Sequence, residues 1–124
     1  MISILMVENN QVAQFAHTYY LTPRGFSIDA VATGEDAVEK LRKNFHYQII
    51  LLDSGLFDRG RLAVCREVRL HKKYCAIPIL AYTTWDQTID TQYLEAGVNQ
   101  VLQKPTPLRN LLKILKQYVI HKNC

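Results

Sequence analysis

Six side chains able to do chemistry stand at or just after the ends of short apolar runs. Glu8 and Asn9 follow Ile2-Ser3-Ile4-Leu5-Met6-Val7, and Asp53 closes Tyr47-Gln48-Ile49-Ile50-Leu51-Leu52. Thr83 and Thr84 follow Ile79-Leu80-Ala81-Tyr82, and Lys104 follows Val101-Leu102-Gln103. Together they supply two acids, an amide, two hydroxyls and an amine. A carboxylate can attack a phosphoryl group and form an acyl phosphate. The transferring group is negative, so it needs a divalent cation and a fixed ammonium or hydroxyl donor. Magnesium prefers a few carboxylates with water and phosphate oxygens. Asp53 and Glu8 offer that, Lys104 the ammonium and Thr83 the hydroxyl. Taken alone, an Asp after an apolar run is an ordinary turn residue; what else arrives beside it decides its meaning.

The elements that must position these residues follow from pattern. Residues 2–7 read as a strand. Glu8-Asn9-Asn10 then offers a helix cap, a role that Asn9 also suits. Val12, Phe15, Ala16 and Tyr19 recur at helical spacing, and Pro23 and Gly25 close that helix. Residues 26–31 alternate as a second strand. Thr33 caps the next helix, whose buried face is Ala37, Val38 and Leu41. The run 47–53 has the length of a strand buried on both faces. After the loop 54–60, a helix over about 61–71 turns Val64, Cys65 and Val68 inward, with Arg66, Arg69 and Lys73 on its outer face. Residues 77–82 make a fourth strand, with Pro78 near its start where a lost donor is tolerated. A short helix over 86–96 ends at Gly97, a C′ cap. Residues 99–103 are a fifth strand. The last helix, 107–120, has the clearest period, in Leu108, Leu111, Leu112, Leu115 and Val119.

Strand and helix thus alternate five times with short connections and no repeat or linker. The expectation is one domain over 1–124, an α/β fold with a doubly wound parallel sheet and right-handed crossovers. All strands then run one way, and their carboxyl ends share one rim, where open α/β sheets place their chemistry.

The chain resembles the receiver domain of two-component response regulators, over nearly its whole length. Ile4 to Asn9 is similar to the acidic motif after the first strand, and Ile49 to Asp53 to the phosphoacceptor strand. Pro78 to Thr83 is similar to the switch-threonine strand. Glu95-Ala96-Gly97 with Leu102-Gln103-Lys104-Pro105 is similar to the lysine motif. The resemblance implies a flavodoxin-like (βα)5 fold with strand order 2-1-3-4-5. It implies that Asp53 accepts phosphate from a histidine kinase or phosphotransfer protein, and that Thr83, with Thr84 beside it, and Lys104 bind the phosphoryl group. Mg2+ would be held by Glu8, Asn9, Asp53 and the backbone carbonyl of Gly55, and the Lys104–Pro105 peptide would be cis. Such a domain turns over no separate substrate; it catalyses only its own phosphotransfer and dephosphorylation. Receivers often dimerise through the face made by helix four, strand five and helix five.

Three positions depart from the family pattern. Asn9 stands where a second acid usually contacts the metal. Unit charges about 4 Å apart interact by up to about 4 kcal/mol at an effective dielectric near 20, so losing one weakens metal binding. Val101 stands at the switch position, where an aromatic ring is usual. Leu56-Phe57 replaces the usual Met-Pro; Phe57 suits either a surface anchor or packing on its neighbours. Gly55 leaves room for water, which would shorten an acyl phosphate's lifetime. A second reading therefore stays open, a pseudo-receiver kept as a phosphorylation-independent interaction module. No DNA-binding or catalytic output domain is expected within these 124 residues, so the chain reads as a stand-alone receiver or as one cut from a hybrid kinase, whose receivers it also resembles.

Composition sets the outer bounds. Hydrophobic residues make up 48% of the chain, enough for an ordinary globular core. No apolar run reaches about 18 residues, so no membrane span is expected. The N-terminus lacks the basic region and cleavage site of a signal peptide. Three cysteines, Cys65, Cys75 and Cys124, make no even disulfide framework and suggest reduced thiols in the cytoplasm. Cys65, His71 and Cys75 lack a fourth zinc ligand. Arg59, Arg61, Arg66, Arg69, Lys72 and Lys73 lack the interleaved aromatics of a nucleic-acid surface and read as a solvated face. His17, His46, His71 and His121 are scattered, with none placed as a catalytic histidine. The segment after the first strand has no glycine for a nucleotide-phosphate loop.

Overall fold

Strands and helices alternate as the pattern requires. A computed structural model describes residues 1–43, 46–53, 59–72, 75–83 and 87–120. The order is β1 (Ile2–Val7), α1 (Gln11–Leu21), β2 (Phe26–Val31), α2 (Gly34–Lys43), β3 (Ile49–Asp53), α3 (Arg59–Leu70), β4 (Ile79–Thr83), α4 (Gln87–Glu95), β5 (Gln100–Gln103) and α5 (Leu108–Ile120). A 3-10 turn, Thr22–Arg24, joins α1 to β2 and ends at Gly25, whose φ of 100° is natural only for glycine. All strand pairs are parallel, in the order β2-β1-β3-β4-β5.

The apolar runs are strands because both sheet faces are covered. Along β1, Leu5 and Val7 enter one core and Ile4 and Met6 the other. β3 divides likewise, Ile50 and Leu52 against Ile49 and Leu51. This period of two feeds a layer holding Ala37, Leu41, Val64, Cys65, Val68 and Tyr93 on one side, and one holding Leu21, Leu111 and Leu115 on the other. Removing a fully buried leucine side chain from water is worth roughly 1.5–3 kcal/mol. The sheet's central strands are therefore the most deeply buried part of the domain.

Several expected boundaries shift, for one reason. Tyr47, Gln48, Ile77 and Pro78 precede their strands and do not extend them. Tyr47 is nonetheless buried, its hydroxyl donating to Asp29 Oδ2 at 2.5 Å. Gln48 holds β1 from outside the ladder, its Oε1 accepting from Ser3 N at 2.9 Å. Burial, which hydropathy reports, extends beyond backbone pairing, which it does not.

Two expected faces are corrected. The stripe that marks α1 in the sequence points to solvent: Val12, Phe15 and Tyr19 are 78%, 71% and 73% exposed. The helix rests on its other side, where Leu21 is buried and Ala13, His17 and Tyr20 are half-buried. Arg69, expected on an outer face, is half-buried and bonds inward. Its Nε and Nη2 donate to Gly97 O at 3.0 and 2.7 Å, Nη2 to Asn99 Oδ1 at 2.7 Å, and Nη1 to Ile77 O and Cys75 O at 2.7 and 2.8 Å. Asn99 Oδ1 also accepts from Ile79 N at 2.8 Å. One guanidinium thus ties α3 to the starts of β4 and β5. Lys73, Phe57, His121 and Cys124 lie outside the described residues.

Candidate functional site at the carboxyl edge of the sheet

Register fixes where four of the six residues arrive. Val7 pairs with Leu52, so Glu8 comes level with Asp53, the last residue of β3. Asp53 pairs with Tyr82, which places Thr83 one residue further along β4. Thr83 pairs with Gln103, and Lys104 N donates to Thr83 O at 2.9 Å. Four neighbouring strands, about 4.8 Å apart, thereby deliver Glu8, Asp53, Thr83 and Lys104 to one edge. Thr84 and Gly55 lie outside the described residues, and Asp53 is placed by its backbone.

The turn after β1 is held from several sides. Glu8 is 4% exposed, and its Oε1 accepts from Asn10 N at 2.8 Å. Glu8 N donates to Val31 O at 2.8 Å, and Gln14 Nε2 donates to the Glu8 carbonyl. Asn10, rather than Asn9, caps α1, its Oδ1 accepting from Ala13 N at 3.0 Å. That corrects the capping role for Asn9, whose side chain stands exposed on the rim.

Opposite, Thr83 is 1% exposed at the end of β4. Lys104 is half-buried, and the Lys104–Pro105 peptide is cis. Thr106 Oγ1 donates to Gln103 O at 2.6 Å, pinning the turn that carries the lysine. Lys104 and Thr106 border a cleft of about 360 Å³ with Ala13, His17 and Tyr82. His17 Nδ1 lies 2.7 Å from Ala13 O, and its ring meets Tyr82 edge-on at 5.9 Å. Sequence reasoning left out Gln14 and Thr106 and gave His17 no part in the site. Gln14 and Thr106 act on backbone atoms, which no side-chain pattern announces.

Val101 is half-buried against the core beside Ala81 in the ladder. Cys65 is fully buried, and burial pushes its thiol up to about 11. No metal-binding cluster of three or more His, Cys, Asp or Glu occurs among the described residues.

The profile of the response regulator receiver domain matches residues 4–116. The chain belongs to that family. The peroxide stress-activated histidine kinase mak3 of Schizosaccharomyces pombe is 30% identical over 124 residues, which are 95% of this chain and 5% of that protein. The aerobic respiration control sensor protein ArcB of Escherichia coli K12 is 30% identical over 94% of this chain and 15% of its own length. The chain thus spans only a small part of these curated relatives. Among solved structures, the receiver domain of sensor histidine kinase PA1611 from Pseudomonas aeruginosa PAO1 superposes with a TM-score of 0.84 at 30% identity, covering 97% of this chain and 98% of that one. It holds a magnesium ion in its active site cleft. Chemotaxis response regulator CheY4 of Vibrio cholerae shares the fold, with a TM-score of 0.83 at 22% identity over 95% of this chain and 98% of its own. The fold is therefore the flavodoxin-like receiver fold, in the strand order expected. No helix among the described residues is long and apolar enough to cross a membrane.

Proposed function

We propose that this receiver domain is a working phosphoacceptor, with Asp53 as the residue phosphorylated. The observation that carries this is the register: adjacent strands bring Glu8, Asp53, Thr83 and Lys104 within one or two residues of a common level. A carboxylate oxygen of Asp53 attacks phosphorus; the new P–O bond forms as the P–N bond to the donor histidine breaks, and the imidazole leaves. Lys104 and Thr83 supply a cation and a hydroxyl to the phosphoryl oxygens, with Thr84 next in the chain. The domain turns over no separate substrate. The phosphodonor is a histidine kinase or histidine phosphotransfer protein, as suits a relative such as the histidine kinase mak3. A cytoplasmic setting suits the free thiols Cys65 and Cys75.

The donor set fits Mg2+: hard oxygens from Glu8, Asp53 and the exposed Asn9 amide would hold it, with the Gly55 carbonyl added by the family resemblance alone. It would neutralise charge on the phosphoryl oxygens. Glu8 has one oxygen fixed by Asn10 N, which orients the carboxylate before any ligand arrives.

The second reading, a pseudo-receiver, draws on Asn9 and Val101. An amide brings no charge to the metal, and Val101 has no ring to move. Intact mass after incubation with a small acyl-phosphate donor separates the two. A magnesium-dependent single phosphoryl adduct absent from Asp53→Ala supports the phosphoacceptor. An unmodified wild type alongside a modified Asn9→Asp supports the pseudo-receiver.

A further inference from the structure

We propose that Thr106 is a positioning residue: its hydroxyl fixes the backbone of Lys104 and so aims the lysine's ammonium at the rim. The inference rests on the reading of Lys104 as a phosphoryl-binding residue and names what holds it in place. Between β5 and α5 the chain runs Lys104-Pro105-Thr106-Pro107. The two prolines have no N–H to donate. Only Lys104 and Thr106 therefore bring backbone donors with which to tie this segment down. Lys104 N is used on Thr83 O at 2.9 Å, which holds the lysine to the end of β4. On the far side of Lys104 the tie is a side chain, Thr106 Oγ1 donating to Gln103 O at 2.6 Å. That bond spans Lys104 and closes the turn around it.

The surroundings of Lys104 say why the tie matters. The lysine borders a cleft of about 360 Å³, shared with Thr106, Tyr82 and His17. Its ammonium rides on a flexible four-carbon stem. Beside open volume, the aim of such a stem depends on where the backbone beneath it starts. The hydroxyl of Thr106 serves that backbone and faces back toward β5. The first bonds of α5, from Asn110 N and Leu111 N, close on Pro107 O at 2.9 and 3.0 Å, so the helix start is built by its own main chain. The acids of the site, Glu8 and Asp53, stand on the far side of β4 from β5. Loss of the Thr106 hydroxyl therefore disturbs the lysine and leaves the carboxylates as they are.

Two variants test this. Thr106→Val keeps the branched shape and removes the hydroxyl, whereas Thr106→Ser keeps the hydroxyl; circular dichroism checks the fold of each. With acetyl phosphate and saturating Mg2+, Thr106→Val is expected to slow modification of Asp53 about five- to tenfold, the worth of one hydrogen bond. Thr106→Ser stays within about twofold of wild type, because the conservative variant restores the tie. Mg2+ affinity is unchanged in both. In a Lys104→Gln background Thr106→Val has no further effect, because its action passes through the lysine. A second readout needs no phosphorylation: the NMR signal of isotope-labelled methyl groups on the Lys104 amine moves in Thr106→Val and returns in Thr106→Ser. A Lys104 signal that Thr106→Val leaves in place overturns the proposal. So do equal rates in wild type and Thr106→Val, equal slowing by both variants, or the same slowing without Lys104. A wild type that is never modified, with the Lys104 signal moved by Val and restored by Ser, upholds the tie and instead refutes Asp53 as the phosphoacceptor.

Discussion

Replacing Asn9 with Asp is expected to tighten magnesium binding about 30-fold. Asn9 is exposed on the rim, so the dielectric of water applies. At about 4 Å a unit charge pair is then worth about 1 kcal/mol, and a divalent ion about twice that. Two kcal/mol is roughly a factor of 30. Nothing structural should be lost with the amide, because Asn10 caps α1 through Ala13 N. The added charge sits beside Glu8 and level with the end of β3, which repels in the metal-free domain and lowers its stability by a few tenths of a kcal/mol. Binding of the ion relieves that repulsion, so the variant gains more stability from magnesium than the wild type. Calorimetric titration with Mg2+ at low ionic strength reads the affinity, and its repetition at high salt should shrink the gain. An affinity within threefold of wild type at both salt levels would refute the reasoning, because the ion would not lie against residue 9.

Three further outcomes follow from the packing. Gly97→Ala is expected to cost about 2–4 kcal/mol in denaturant unfolding. Its φ of +104° disfavours any Cβ, and that atom would lie 2.8 Å from Arg69 Cγ, displacing the guanidinium. In an Arg69→Ala background the same change should cost only about 1–2 kcal/mol; equal costs in both backgrounds would rule out the clash. Cys65 should resist alkylation at pH 8 in the native state, whereas exposed Cys75 reacts, as peptide mass mapping would read. The raised Cys65 value means its neutral form is favoured on folding, so its contribution to stability is intact below about pH 8.5 and fades toward about pH 11.

The alternation of strand and helix was legible because both cores are fed by unbroken apolar runs, and the rim followed from strand direction alone. The face of α1 was not, since that helix is apolar on two sides. Val12, Phe15 and Tyr19 carry the stronger period, but Leu21 with Ala13 and Tyr20 carries the packing. Arg69 was misread for a related reason: its spacing puts it outward, while its long stem brings the guanidinium back to Gly97 O and Ile77 O. For the site, residue types at strand ends pointed to Glu8, Asp53, Thr83 and Lys104. The supports from Gln14 and Thr106 end on carbonyl oxygens, which leave no trace in side-chain pattern.

The most direct test of the central claim is borohydride trapping of the modified protein. An acyl phosphate is reduced at its carbonyl carbon, so a phosphorylated aspartate becomes homoserine. After treatment with an acyl-phosphate donor and Mg2+, peptide sequencing by mass should find that conversion at position 53 and at no other carboxylate. Conversion at Glu8 or elsewhere, or none at any position while the protein remains folded, would contradict Asp53 as the phosphoacceptor.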